Sequence, residues 1–116
     1  MNHTKGRTYE KIAGEYLKKQ GYEILEYNYR SRYSEIDIIA KDGACIVFCE
    51  VKYRKGKDKL SPFEAVTLQK QKRISHAALY YLTIHNSLNH TSRFDVIGCN
   101  DSEIIHIKNA FNFMGA

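Results

Sequence analysis

From Thr4 to Gln20, apolar side chains fall at Tyr9, Ile12, Ala13, Tyr16 and Leu17. That three-and-four spacing predicts one helix face, and Gly21 supplies a stop. The run "YEILEYNY" (22–29) follows the glycine, draws its strand character from tyrosine and isoleucine, and predicts a strand; the polar "RSRYS" after it predicts a loop. Residues 34–40 and 44–52 read as two further strands joined at Asp42-Gly43, a hairpin signal because both residue types tolerate positive φ. A two-residue loop there sets Ala40 opposite Cys45, Ile38 opposite Val47 and Ile36 opposite Cys49. One face of the hairpin is then wholly apolar, while the other carries Glu35, Asp37 and Ile39 beside Phe48, Glu50 and Lys52. In this register Glu35 faces Glu50 directly, a like-charge contact, and Asp37 lies diagonal to Glu50 at roughly 7–8 Å between backbones.

Beyond the basic stretch "KYRKGKDKL", Ser61, Pro62 and Glu64 combine an N-cap, a proline at the first helical position and a capping-box glutamate. Val66, Lys70, Ile74, Ala77, Ala78, Tyr81 and Leu82 carry the helix pattern to about His85, with a break near Leu68. "SLNHTS" is a loop, and "RFDVIGC" (93–99) and "EIIHI" (103–107) predict two strands around an Asn100-Asp101 turn; "NAFNFMGA" carries no clear pattern. The order α-β-β-β-α-β-β implies a single α/β domain over residues 1–116, a mixed β-sheet with a helix packed on either side. Strand order does not follow from the pattern.

Composition narrows the class. The chain has 116 residues, 43% of them hydrophobic, and no run near the roughly 20 apolar residues of a membrane helix. The polar start "MNHTKGRTYEK" lacks the apolar core of a secretory signal, so no membrane association and a cytoplasmic location are expected. Cys45, Cys49 and Cys99 are odd in number and form no C-x-x-C pair, so they read as reduced core thiols, and the five histidines lack zinc-site spacing. The net charge of +5 favours an acidic partner such as nucleic acid, although many solvated surfaces are as basic.

The acids on one sheet face change the picture. Carboxylates placed together repel unless a hard cation or a lysine neutralises them, and Lys52 stands two residues beyond Glu50 on the same face. Oxygen ligands for magnesium beside a lysine that holds a water are the means of phosphodiester hydrolysis. A Glu-x-Lys on a strand is most often an exposed ion pair. Asp37, on the adjoining strand between apolar neighbours, is what sets this one apart.

"Asp37 … Glu50-Val51-Lys52", with a glutamate on a preceding helix, resembles the signature of the PD-(D/E)XK nuclease superfamily. The resemblance is closer to the bacterial YraN-like family, itself similar to archaeal Holliday junction resolvases. It runs through "KGRTYEKIAGEYLKKQGYEILEYNYR", "EIDIIA", "IVFCEVKYR", "EAVTLQKQKRI", "RFDVI" and "HIKNAF". It implies a restriction-endonuclease-like core, with Glu10, Asp37 and Glu50 as ligands of Mg2+ (or Mn2+) and Lys52 as the active-site lysine. Glu35 falls on a further family position, Lys70 on a helix lysine able to contact phosphate, and Arg30 and Arg93 on family arginines. Tyr9 and Ser34 stand where the family usually has glycine.

Without the resemblance, Glu10 reads as a solvated helix residue beside the apolar stripe. Arg54, Lys55, Lys57 and Lys59 form either a flexible basic loop or a grip on a phosphate backbone, and Lys70, Lys72 and Arg73 mark a basic helix face. Tyr27, Tyr29 and Tyr33 interleave with Asn28, Arg30 and Arg32, a pattern suited to base stacking or equally to sheet packing. Asp95 is expected to pair with Arg93 or another base. The expectation is a metal-dependent endonuclease acting on DNA, branched or structured, with a homodimer required for symmetric cutting. The alternatives are a DNA-binding protein that keeps the fold without cleaving and a protein-partner adaptor.

Overall fold

A computed structural model describes residues 2–57 and 66–114, with side chains from residue 8 onward. The elements run α1 (Asn2–Lys19), β1 (Glu23–Arg30), β2 (Glu35–Asp42), β3 (Cys45–Tyr53), α2 (Leu68–Ile84), β4 (Ser92–Cys99) and β5 (Ile104–Phe111). The expected element order is the observed one. The strands form one sheet in chain order, β1-β2-β3-β4-β5, antiparallel except where β3 and β4 run parallel across the α2 crossover.

α1 closes at Gly21, whose φ of 94° suits glycine, while the Tyr22 amide donates back to the Leu17 carbonyl at 3.0 Å. Ala13 and Leu17 press on Ile38, Ala40, Val47, Cys49 and Ile97. Ile12, expected in that stripe, is 41% exposed, because the sheet takes a narrower face of the helix than the sequence pattern offers. Gly14 is buried, and a side chain there would collide with the Tyr27 ring, so α1 lies unusually close to β1. On the other face Ile74, Ala77, Ala78, Tyr81 and Leu82 of α2 pack on Ile36, Ile39, Ile46, Phe48, Phe94 and Val96.

The hairpin register differs from expectation. Asp42 pairs with Cys45, Ala40 with Val47 and Ile38 with Cys49, so the loop is Gly43-Ala44 and Asp42 belongs to β2. Gly43 takes a φ of 60° and Asp42 is not among the positive-φ residues, which matches a turn with glycine first rather than an Asp-Gly turn with both residues left-handed. Asp42 is then free to meet Arg93 at 3.2 Å. With the register shifted by two positions the pairing ends at Ile38 and Cys49, Asp37 and Glu50 come next along the two strands, and the expected Glu35–Glu50 pair does not form.

The expected wholly apolar hairpin face is also broken. Ile38 packs beneath α1 but Ile36 packs beneath α2, and in β1 Tyr27 and Tyr29 divide the same way. Asn28 lies between those tyrosines at a φ of 53°, and this left-handed residue turns the strand over. Tyr27 pairs with Ile38 and Tyr29 with Ile36, so Asn28 stands beside Asp37 where both strands change face. β5 repeats the device, with Asn109 at a φ of 53° and its amide donating to Asp95 at 3.0 Å.

The helix start expected at Ser61, Pro62 and Glu64 lies outside the described residues. In the described part the break near Leu68 is the helix start, where the Thr67 hydroxyl accepts from the Lys70 amide at 3.1 Å. The last strand reaches Phe111, beyond the expected 107, because Phe111 stacks on Phe94 at 4.7 Å. Cys49 and Cys99 are buried, Cys45 is half-buried, and all three are free thiols.

Gly14→Ala should destabilise the protein by about 1–3 kcal/mol in urea unfolding despite alanine's better helix propensity, because the methyl group must push α1 away from Tyr27. A variant as stable as the parent would show that α1 is not held at that distance.

Candidate functional site

Sheet topology decides which sequence features meet. β1 ends, β2 begins and β3 ends on one edge of the sheet, and that edge gathers Arg30, Glu35, Asp37, Glu50 and Lys52. The start of α2 joins it through Lys70, whose Nζ lies 3.6 Å from Glu50 Oε2. Glu10 comes from α1 one turn before Gly14, so the close approach permitted by that glycine also presses Glu10 toward the sheet.

Asp37 is the centre of the group. Its Oδ2 accepts the Val51 amide at 2.8 Å, so a side chain satisfies a β3 main-chain donor where the two strands part. The Asp37 charge acts on both Glu10 and Glu50. Burial, the Asp37 charge and the contact with Asp37 push the Glu10 carboxyl up to about 7, against a hydrogen bond with Asn28 that pulls it down. Burial and the Asp37 charge push Glu50 up to about 8, although Lys70 and Lys52 favour its ionised form. Oε1 of Glu10 is out of solvent with no hydrogen-bond partner. Glu10 is therefore not the solvated helix residue that its position beside the stripe suggests.

Glu35 pairs across the sheet with Arg30 and contributes weakly to the field at Glu10. Arg30, Arg32, Arg54, Lys55, Lys57 and Arg73 are exposed, Arg30 at the end of β1, the next four on the two connections flanking the acids and Arg73 one turn beyond Lys70. Lys59 lies outside the described residues. Tyr27 and Tyr29 pack in the sheet, and of the interleaved tyrosines Tyr33 alone is on the surface.

Arg93 is taken up in structure. It meets Asp95 at 3.0 Å, Asp42 at 3.2 Å and the Tyr22 hydroxyl at 2.6 Å. Asp95 is fully buried, and burial alone would raise its carboxyl; hydrogen bonds from His106 and Arg93 and the Asn109 amide outweigh that and hold it low. His106 lies 2.7 Å from Asp95 and 3.1 Å from the Tyr16 hydroxyl. This network ties α1, β4 and β5 together away from the carboxylate group.

Asn28 and the contacts of Tyr9 with Tyr53 and Asp101 escaped sequence reasoning. Asn28 carried a signal, since asparagine within a strand run is the residue type most tolerant of positive φ after glycine. Tyr9 stacks on Tyr53 at 3.7 Å and donates to Asp101 at 2.8 Å, while the Gly56 amide donates to the same carboxylate at 3.2 Å. These contacts fix the neighbours of Glu10 and Lys52 and the basic loop. Neither Tyr9 nor Ser34 has positive φ, so neither strains the backbone. No local pattern links residues so far apart in sequence.

Among the described residues no three His, Cys, Asp or Glu side chains form a ready-made metal cage. The donor chemistry nevertheless fits a hard divalent cation: the converging atoms are carboxylate oxygens, two of the acids are held above their ordinary range by mutual repulsion and burial, and Glu10 has an orphaned oxygen. Among the described residues no helix is long and apolar enough to cross a membrane.

The five-stranded mixed sheet, the two helices and the acids at the splayed edge define an α/β protein consistent with the restriction-endonuclease-like core. Residues 9–99 match the pattern of the uncharacterised protein family UPF0102, and the chain belongs to that family. A UPF0102 protein of Lachnoclostridium phytofermentans is 48% identical over 112 residues, covering 96% of this chain and 95% of the relative. One from Alkaliphilus metalliredigens is 43% identical over 115 residues, 96% of this chain and all of the relative at 100%. A third, from Persephonella marina, is 42% identical over 108 residues and covers 93% of each.

The raised acids set a pH dependence. Glu10 and Glu50 bind protons more tightly folded than unfolded, so their contribution is full below about pH 4.5 and is lost as pH rises through about 7 and about 8. Without divalent ions, Tm should fall by on the order of 5 °C between pH 5 and pH 9. Glu50→Gln should flatten that slope and melt above the parent at pH 9; an unchanged slope would mean that folding does not raise the Glu50 carboxyl.

Asn28→Gly should keep the left-handed backbone yet raise the Glu10 pKa further, since the amide that favours the ionised form is gone. Carboxyl-detected NMR titration of Glu10 checks this, and a Glu10 that titrates lower would refute it.

Proposed function

We propose that this protein is a divalent-metal-dependent endonuclease that hydrolyses phosphodiester bonds in DNA, with branched or structured DNA as its substrate class. The supporting observation is that carboxylates from three separate elements, Glu10, Asp37 and Glu50, are brought together against their own repulsion beside Lys52. A fold gains nothing in stability from such a cluster, so a ligand that repays it is the simplest account.

Glu10, Asp37 and Glu50 would hold Mg2+ or Mn2+. The ion, when bound, supplies positive charge at the scissile phosphate and acidifies a coordinated water. Lys52 holds the attacking water on the β3 side and balances charge developing on the phosphate. Arg30, Arg32, Arg54, Lys55, Lys57 and Arg73 take backbone phosphates, a set of contacts that positions DNA without reading sequence. Lys70 neutralises Glu50 in the free protein and is released toward phosphate when the acids have another cation. Cutting two strands symmetrically calls for a second copy of the chain.

The Lys70–Glu50 pair also favours a second reading. A chain that supplies its own counter-cation at 3.6 Å can keep the fold and the basic edge and bind DNA without cleaving it.

Cleavage of linear duplex, single-stranded, flap and four-way-junction DNA with Mg2+ or Mn2+ separates the two. Asp37→Asn and Lys52→Ala should each lower the cleavage rate by about 100-fold or more while DNA binding persists. Mg2+ should raise the parent's Tm more at pH 8 than at pH 5.5 and should do so weakly in Asp37→Asn. No cleavage by the parent on any of these DNAs would leave the binding protein.

A further inference from the structure

The β1–β2 connection and the outer side of α2 enclose two adjoining clefts beside the acidic edge. One, of about 400 Å3, is lined by Tyr33, His76, Leu79, Tyr80 and Thr83. The other, of about 440 Å3, is lined by Arg30, Ser31, Arg32, Tyr33 and Tyr80. Tyr33 and Tyr80 belong to both, so two rings with centroids 6.3 Å apart divide an aromatic and aliphatic hollow from one lined by guanidinium groups. Both volumes are in the range of small-ligand sites, and no carboxylate lines either cleft.

We propose that Tyr33 and Tyr80 form a stacking platform for one unpaired nucleobase, with Arg30 and Arg32 gripping its phosphate. The two rings are inclined at 60°, so one takes the face of a base and the other its edge, and the guanidinium groups that line the adjoining cleft match the phosphate of the same nucleotide. Tyr33 and Tyr80 are 37% and 46% exposed, so their rings are presented to solvent rather than used in the core. Tyr33 is held by an edge-on contact with His76 at 5.5 Å and by Arg32, whose guanidinium lies 5.2 Å from the ring centre. A base paired within a duplex hides its faces in the stack, so such a platform selects a nucleotide at a flap, gap or branch.

Position links the platform to the acids. Arg30 pairs across the sheet with Glu35, two residues from Asp37, or roughly 7 Å along the strand. One strand of DNA can therefore lie over the acidic edge and leave an unpaired base on the tyrosines. This inference rests on the reading of the acids as a DNA site and adds the feature of the DNA that the protein recognises.

The test is binding of a single-stranded thymidine 12-mer carrying one 2-aminopurine, in EDTA so that no cleavage contributes. The parent protein should bind and alter the 2-aminopurine fluorescence. Tyr33→Ala with Tyr80→Ala should weaken binding by about tenfold or more and abolish the fluorescence change, while the double phenylalanine variant keeps both. Arg32→Ala should instead reduce the salt dependence of binding by about one phosphate contact. The single alanine variants give the same answer in smaller steps if the double variant fails to fold.

Alanine variants that bind as tightly as the parent, or a parent that ignores the single strand, would overturn the platform. Cleavage of duplex DNA in that case leaves the nuclease standing. Binding as expected with no cleavage of any DNA would instead remove the nuclease and keep the platform.

Discussion

Asp37 accepts the Val51 amide where β2 and β3 part, and this one hydrogen bond lets a carboxylate occupy a place in the sheet that a main-chain carbonyl would otherwise fill. Everything at the acidic edge depends on it. With one oxygen committed to β3, Asp37 stays fixed while Glu10 approaches from α1 and Glu50 from the strand beside it. The backbone arranges this through Asn28, whose left-handed conformation turns β1 over beside Asp37 so that β2 can do the same. A strand pair that kept its alternation would send Ile36 and Ile38 to one face and carry Asp37 away from α1.

The second polar centre shows how the fold treats a carboxylate that is structural. Asp95 is also buried beside a left-handed asparagine in a neighbouring edge strand, but it meets Arg93, His106 and a main-chain amide, and its carboxyl is held low. The acids around Asp37 lie in the same sheet and are pushed the other way. The difference is one of partners rather than of depth. One site has its cations and donors built in, while the other has more negative charge than its lysines offset.

That imbalance is maintained by contacts outside the site. Gly14 brings α1 down onto Tyr27, and the stacked Tyr9 and Tyr53 with Asp101 brace the residues next to Glu10 and Lys52. Packing energy spread over two buried faces thus opposes a local repulsion. Membership of UPF0102 places the chain among relatives that it matches over nearly their whole length.

The sequence by itself determined the elements, their order and the grouping of Asp37, Glu50 and Lys52, because helical and alternating periodicities survive in any local window and the run from Asp37 to Lys52 is local, whereas Glu10 was marked only by the family resemblance. It also pointed to the hairpin but misplaced its register, since Asp-Gly satisfies two turn geometries and only the rest of the sheet, through Asp42 and Arg93, selects between them. Which acids touch, which way Ile36 points and which tyrosines reach the surface were decided by tertiary structure alone. Those outcomes depend on Asn28 adopting a conformation that its neighbours in space, not in sequence, make worthwhile, and on α1 meeting a strand whose distance from it is set by a missing side chain at Gly14.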